Sequence, residues 1–119
     1  MRKPFLCLIL SAAFALPFAL HASAVKQCKV TAVVKQVKGT PEKPILSIEI
    51  KDALFETGHS MGNDCSELTM FHQREIQLYS PVKTAVGRTI LLLFTDVRGV
   101  TPSGPVRSET WEVHKDYKP

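Results

Sequence analysis

The chain has 119 residues, a net charge of +4 and 45% hydrophobic residues. A length in this range is typical of a single domain. The charged residues make up 22% of the chain and are interspersed along it, whereas nucleic-acid-binding proteins usually carry a clustered basic patch. We therefore expect one domain that does not bind nucleic acid.

Residues 1–24 have the pattern of a secretory signal peptide. Arg2 and Lys3 precede the apolar run Phe5–Leu20, and the small residues Ala22-Ser23-Ala24 form a cleavage site. The apolar run is too short and too interrupted for a membrane span, which needs about 20 apolar residues. Cleavage leaves one domain, residues 25–119, with 13 basic and 11 acidic residues and a net charge of +2. We expect a periplasmic or secreted protein without stable membrane insertion.

The cysteine count depends on that cleavage. Removal of the signal peptide takes away Cys7 and leaves Cys28 and Cys65. Two cysteines in an exported domain most simply form one disulfide, and no Cys-x-x-Cys motif suggests redox chemistry. The sequence therefore predicts a Cys28–Cys65 disulfide.

Alternation of apolar and polar residues predicts five strands. The pattern is clearest in the second strand, where Leu46, Ile48 and Ile50 alternate with polar residues. In the fourth, Ile90–Phe94 is continuously apolar, which indicates burial on both faces. The segment between the second and third strands, Cys65–His72, is compatible with a short helix or an irregular crossing. The predicted strands are Lys29–Val37, Ile45–Lys51 with an extension to Phe55, Arg74–Tyr79, Arg88–Val97 and Val106–His114.

Glycine and proline residues separate these strands. The predicted loops are Gly39–Pro44, Gly58–Asp64, Ser80–Gly87 and Gly99–Pro105. Five strands with at most one short helix favour an all-β fold, a small, partly open Greek-key barrel of the OB type. A small antiparallel sandwich is the alternative.

Barrels of the OB type commonly bind ligands on one sheet face framed by two loops. Here the two loops are Gly39–Pro44 and Gly99–Pro105, and Trp111 is predicted to be a core residue. We expect a non-catalytic binding module for an envelope protein, a peptide or a glycan. The candidate residues of the solvent-facing side are Glu49, Lys51, Glu75, Gln77 and Tyr79.

A second hypothesis is copper binding. His59-x-Met61 is followed by Met70-x-His72, and thioether and imidazole groups are suitable copper ligands. Clusters of methionine and histidine on a small β-barrel resemble the sites of periplasmic copper-carrier proteins. This resemblance implies a copper site formed by His59, Met61, Met70 and His72, although their spacing matches no compact ligand motif.

A third hypothesis is ester hydrolysis. The string from Gly58 to Gly62 fits G-x-S-x-G and resembles the nucleophile elbow of the α/β-hydrolase family. The resemblance implies that Ser60 is the nucleophile, with Asp96 and His114 following in the family's order. That family requires a parallel sheet with crossover helices, for which a domain of this size has no room. We therefore expect a loop at this position and no enzyme activity.

Overall fold

The structure is a computed structural model, and it describes residues 21–59, 62 and 64–119. The predicted signal peptide therefore lies almost wholly outside the described residues. Within them the chain forms the five strands that the sequence predicts, and the segment Cys65–His72 contains a short helix, which is one of its two predicted alternatives. In chain order these are β1 (His21–Gly39), β2 (Pro44–His59), α1 (Glu67–Met70), β3 (Gln73–Gln77), β4 (Thr89–Thr101) and β5 (Gly104–Val113).

The strands form one antiparallel sheet in the order β3-β2-β1-β4-β5. β4 returns past β3 and β2 to pair with β1, which is the Greek-key order. The sheet curls into a half-barrel, and β3 and β5 are its two edge strands. The prediction of an all-β, partly open barrel is confirmed, and the alternative of a two-sheet sandwich is not what the chain forms.

The core lies on the concave face of the sheet. Phe94 and Leu46 are among the largest fully buried side chains, and burial of each such side chain stabilises the fold by about 1.5–3 kcal/mol. The prediction that Ile90–Phe94 is buried on both faces is wrong. Leu91 and Leu93 are only half-buried, because no second layer of the described chain covers the convex face. The inward-facing apolar residues include Val30, Ala32, Val34, Leu46, Ile48, Ile50, Ile76, Ile90, Leu92, Phe94 and Trp111.

The predicted disulfide is present. Cys28 of β1 is bonded to Cys65, their Cα atoms are 6.1 Å apart, and both side chains are buried. Just after Cys65, the backbone N–H of Ser66 donates a hydrogen bond of 2.9 Å to the Asp64 carboxylate, which holds the pKa of Asp64 below its ordinary value. The disulfide and the buried side chain of Leu68 hold α1 against the core.

The prediction of a loop over Gly99–Pro105 is wrong. β4 continues to Thr101 and β5 starts at Gly104, so that only two residues form the turn. The Thr101 hydroxyl donates to the carbonyl of Gly104 and accepts the N–H of Ser103. Pro105 is compatible with this strand because β5 is an edge strand, where a missing N–H breaks no ladder bond.

The predicted loop Gly58–Asp64 begins later than expected, since β2 extends to His59. Gly58 pairs with Lys26 of β1 and adopts φ +153°. A Cβ atom at this position would clash with the carbonyl oxygen of Val25. The glycine is therefore required by the close approach of two strands, which is a role that the G-x-S-x-G pattern does not describe.

Two turn glycines with nearly equal φ angles allow a matched test of how tightly the backbone is packed in the hairpin between β1 and β2. A Cβ atom at Gly39 (φ +85°) would lie 2.9 Å from the carbonyl oxygen of Lys43, whereas one at Gly87 (φ +92°) would have no atom within 4 Å. Both alanine substitutions incur the left-handed backbone cost of about 1–2 kcal/mol. We expect Gly39→Ala to lower the free energy of unfolding more than Gly87→Ala does. Urea unfolding of both variants measures this, and equal losses would show that crowding at Gly39 is unimportant.

Candidate functional site

The open side of the half-barrel, between the edge strands β3 and β5, is the candidate site, and we call it the seam. Arg74 of β3 faces Trp111 of β5, with its guanidinium carbon 5.8 Å from the centroid of the indole ring. Trp111 also packs on Phe94, with a centroid distance of 4.8 Å and a tilt of 49°. The core thus fixes the indole on one side, and the ring contacts the Arg74 guanidinium in the seam. The prediction that Trp111 is a core residue is confirmed.

Arg74 has no anionic partner among the described residues. It forms no ion pair, and its Nε atom is buried without a hydrogen-bond acceptor. A buried polar group without a partner costs about 1–3 kcal/mol. The contact with Trp111 offsets part of that cost, since a cation over an aromatic ring stabilises by about 0.5–2 kcal/mol. The seam therefore holds a guanidinium that is positioned but not neutralised.

A shallow cleft of about 270 Å³ opens beside Arg74. Its other walls are Phe71, which follows α1, together with Arg107 and Glu109 of β5 and Glu67 of α1. Phe71 is 67% exposed although it is a large apolar residue. The cleft thus combines an exposed aromatic side chain with groups of both charges. A second cleft, of about 380 Å³, borders Arg74 on the other side and is lined by Lys35, Ser47, Ile48, Gln73 and Glu75.

The β5 wall of the seam is fixed by a buried carboxylate. Asp96 of β4 is fully buried and accepts two hydrogen bonds from Arg107, of 2.9 and 3.2 Å. Arg98 contributes a third contact of 3.4 Å, and Glu109 lies 2.8 Å from Arg107. The hydrogen bonds to Asp96 raise the pKa of the Arg107 guanidinium. Arg107 is thus held in place by two carboxylates, in contrast to Arg74.

Lys26 of β1 lies next to this cluster, opposite Asp96 in the strand pairing. It is only 6% exposed, and its Nζ donates to the carbonyl of Asp64 at 2.8 Å and lies 3.8 Å from Glu67. No motif in the sequence pointed to Lys26 or Arg107. The sequence pattern does indicate the role of Asp96. It continues the inward-facing positions of Ile90, Leu92 and Phe94, and an acidic residue at a buried position requires a partner.

The predicted binding face lies on the opposite, convex side of β2 and β3, and its charges are paired. Glu49 contacts Lys35 at 3.3 Å and Lys51 at 3.4 Å, and the hydrogen bonds from these lysines hold the pKa of Glu49 below its ordinary value. Glu75 pairs with Lys38 at 2.6 Å. Gln77 and Tyr79 are exposed, and Tyr79 has the Lys43 ammonium 6.0 Å from its ring. Both carboxylates of this face are thus paired with lysines, whereas Arg74 in the seam has no carboxylate partner among the described residues.

The predicted copper ligands are only partly described. Met61 and the side chain of His59 lie outside the described residues, while Met70 and His72 are both exposed. Within the described part of the chain, no three His, Cys, Asp or Glu residues are grouped so that they could hold a metal ion. The geometry thus provides no particular support for the copper hypothesis, which stays a prediction.

The three residues of the esterase hypothesis are also only partly described. Ser60 lies outside the described residues. The Nε2 atom of His114 is 2.7 Å from a Glu56 carboxylate oxygen, and its Nδ1 accepts the N–H of Asp116. Asp96 contacts arginines, as described above. Both ring nitrogens of His114 therefore have partners other than Asp96.

Comparisons with known proteins returned no relative. No family model, curated protein or solved structure matches the chain. Among the described residues, no helix is long and apolar enough to cross a membrane.

Proposed function

We propose that this protein is an exported, non-catalytic binding module that holds an acidic segment of an envelope peptide or protein in the seam. One observation carries the proposal, namely the guanidinium of Arg74, which is ordered against Trp111 and lacks a carboxylate partner among the described residues. A planar guanidinium binds carboxylates through two parallel hydrogen bonds, so an acidic side chain is the natural ligand for it.

The surroundings of Arg74 support a binding role. Trp111 is held by the core and Arg107 by Asp96, so little ordering is needed when a ligand arrives. Phe71 supplies exposed apolar surface at the rim of the cleft. Aromatic residues and arginine are the side chains most enriched at the centres of protein interfaces.

Export is part of the proposal and agrees with two features. The disulfide suits an oxidising compartment such as the periplasm. Cleavage after Ala24 would remove the pairings of His21, Ala22 and Ala24 with β4. It would leave β1 from Val25 onward, which makes all the pairings with β2 and the other pairings with β4. The remaining part of β1 therefore keeps its place at the centre of the sheet after the signal peptide is removed.

The proposal is tested with immobilised eight-residue peptides that are identical except for a central Glu, Gln or Lys. We expect the wild-type protein to prefer the Glu peptides and Arg74→Ala to weaken their binding at least tenfold. A hydrogen bond to a charged group is worth about 1.5–3 kcal/mol, and about 1.4 kcal/mol corresponds to a factor of ten. Biolayer interferometry measures the affinities.

The matched control is Arg88→Ala, which removes an exposed arginine outside the seam. We expect this variant to bind like the wild type, and both variants to show unfolding transitions close to that of the wild type. Equal loss of binding in the two variants, or no preference for Glu over Lys peptides, would refute the proposed site.

A further inference from the structure

We infer that the ligand of the seam is an extended polypeptide that adds to the free edge of β3 as an antiparallel strand. The inference rests on the proposed function and extends it, because it specifies how the ligand backbone is recognised. Strand addition to an exposed sheet edge obtains affinity from main-chain hydrogen bonds and specificity from alternate side chains.

The hydrogen bonds between β3 and β2 use the backbone groups of alternate β3 residues, and they leave the backbone groups of three β3 residues without a partner in β2. Ile50 donates to the carbonyl of His72, and Leu78 donates to the carbonyl of Pro44, so the even-numbered residues between them face β2. The N–H and C=O groups of Gln73, Glu75 and Gln77 therefore point away from β2. No described strand pairs with that edge.

The direction of the strands favours an antiparallel ligand. Four antiparallel pairings separate β3 from β5 in the sheet, so the two edge strands run in the same direction. Direct closure of the barrel would need a parallel pairing. A ligand strand antiparallel to β3 is also antiparallel to β5, and antiparallel pairing is slightly the more stable per residue.

Charge complementarity defines the side chains of this ligand. Arg74 faces the concave side, because its partner Ile48 and its neighbour Ile76 are buried there. Side chains of an added strand alternate between the two faces. One concave-facing ligand residue is therefore acidic and meets Arg74, and another concave-facing residue is apolar and meets Trp111 or Phe71. On the convex face Lys38 and Glu75 pair with each other, so they do not require a charged side chain in the ligand.

The experiment uses a fluorescent eight-residue peptide of alternating Thr and Val with one central Glu. Two derivatives carry N-methyl groups on alternate amides, one on the odd and one on the even positions. Methylation removes the N–H donors that face one edge of the strand. We expect at least one derivative to bind tenfold more weakly than the parent peptide in fluorescence anisotropy, and loss with both would mean that β5 pairs as well.

A variant of the protein tests the same edge from the other side. Glu75→Pro removes an outward N–H without breaking a bond to β2, so proline is tolerated there in principle. Glu75→Thr is its control, since it removes the same carboxylate and keeps the N–H. We expect the proline variant to lose binding and the threonine variant to retain it. If the proline variant does not fold, the methylated peptides decide the question.

The outcomes separate the two proposals. Binding that depends on Arg74 but is insensitive to both methylation patterns would overturn strand addition and leave the seam as a site for acidic side chains. Absence of binding to every Glu peptide would overturn both. Binding of a polygalacturonate oligosaccharide that depends on Arg74, with no peptide binding, would overturn the polypeptide ligand and indicate a glycan.

Discussion

Replacement of Cys28 and Cys65 by alanine is expected to lower the free energy of unfolding by about 4 kcal/mol, the value for a closed loop of this length. The two cysteines are 37 residues apart in the sequence. The loop that they close contains all of β2 and leads to α1. Because α1 is a single turn with one buried side chain, Leu68, it has little else to hold it against the sheet. Urea unfolding monitored by Trp111 fluorescence measures the loss.

Dithiothreitol provides the control for this prediction. It should destabilise the wild-type protein and leave the double alanine variant unchanged, because the variant has no disulfide to reduce. An unfolding midpoint that is the same in the wild type and the variant would contradict a stabilising role for the disulfide.

Arg107→Met is expected to destabilise the protein by about 3 kcal/mol, at the lower end of the range for breaking a buried ion pair. Asp96 is fully buried, whereas the side chains of Arg107 and Arg98 are each 47% exposed. Removal of Arg107 therefore leaves a buried carboxylate with Arg98 as its remaining partner. Asp96→Asn is expected to cost less, because the half-exposed arginines can be hydrated when they lose their carboxylate.

The double variant Asp96→Asn with Arg107→Met completes a thermodynamic cycle. We expect it to be more stable than Arg107→Met alone, because it no longer contains the buried carboxylate that lost the Arg107 partner. Equilibrium unfolding in urea gives all three free energies. Strict additivity of the two single substitutions would contradict a direct interaction between Asp96 and Arg107.

The sheet could be predicted from local sequence patterns. The alternation of Leu46, Ile48 and Ile50 determines which face of β2 is buried, because one face of the half-barrel meets solvent. The disulfide could be predicted because the expected cleavage of a signal peptide would remove Cys7 and leave two cysteines. Local patterns failed at Gly99 and Pro105, where residues that usually interrupt a strand lie on an edge hairpin that tolerates them.

The seam could not be predicted in the same way. The contact between Arg74 and Trp111 joins two edge strands that are far apart in the sequence, and it depends on the curl of the whole sheet. The inward position of Arg74 is visible in the alternation with Ile76. That alternation does not reveal that the opposite edge offers an indole ring rather than a carboxylate.

Amide hydrogen exchange along β3 in the free protein tests most directly whether the seam has an open strand edge. We predict fast exchange at Gln73, Glu75 and Gln77, whose N–H groups point away from β2, and slow exchange at Arg74 and Ile76, which pair with β2. Uniformly slow exchange at all five residues would contradict an open edge, because it would show that the outward N–H groups of β3 are already paired.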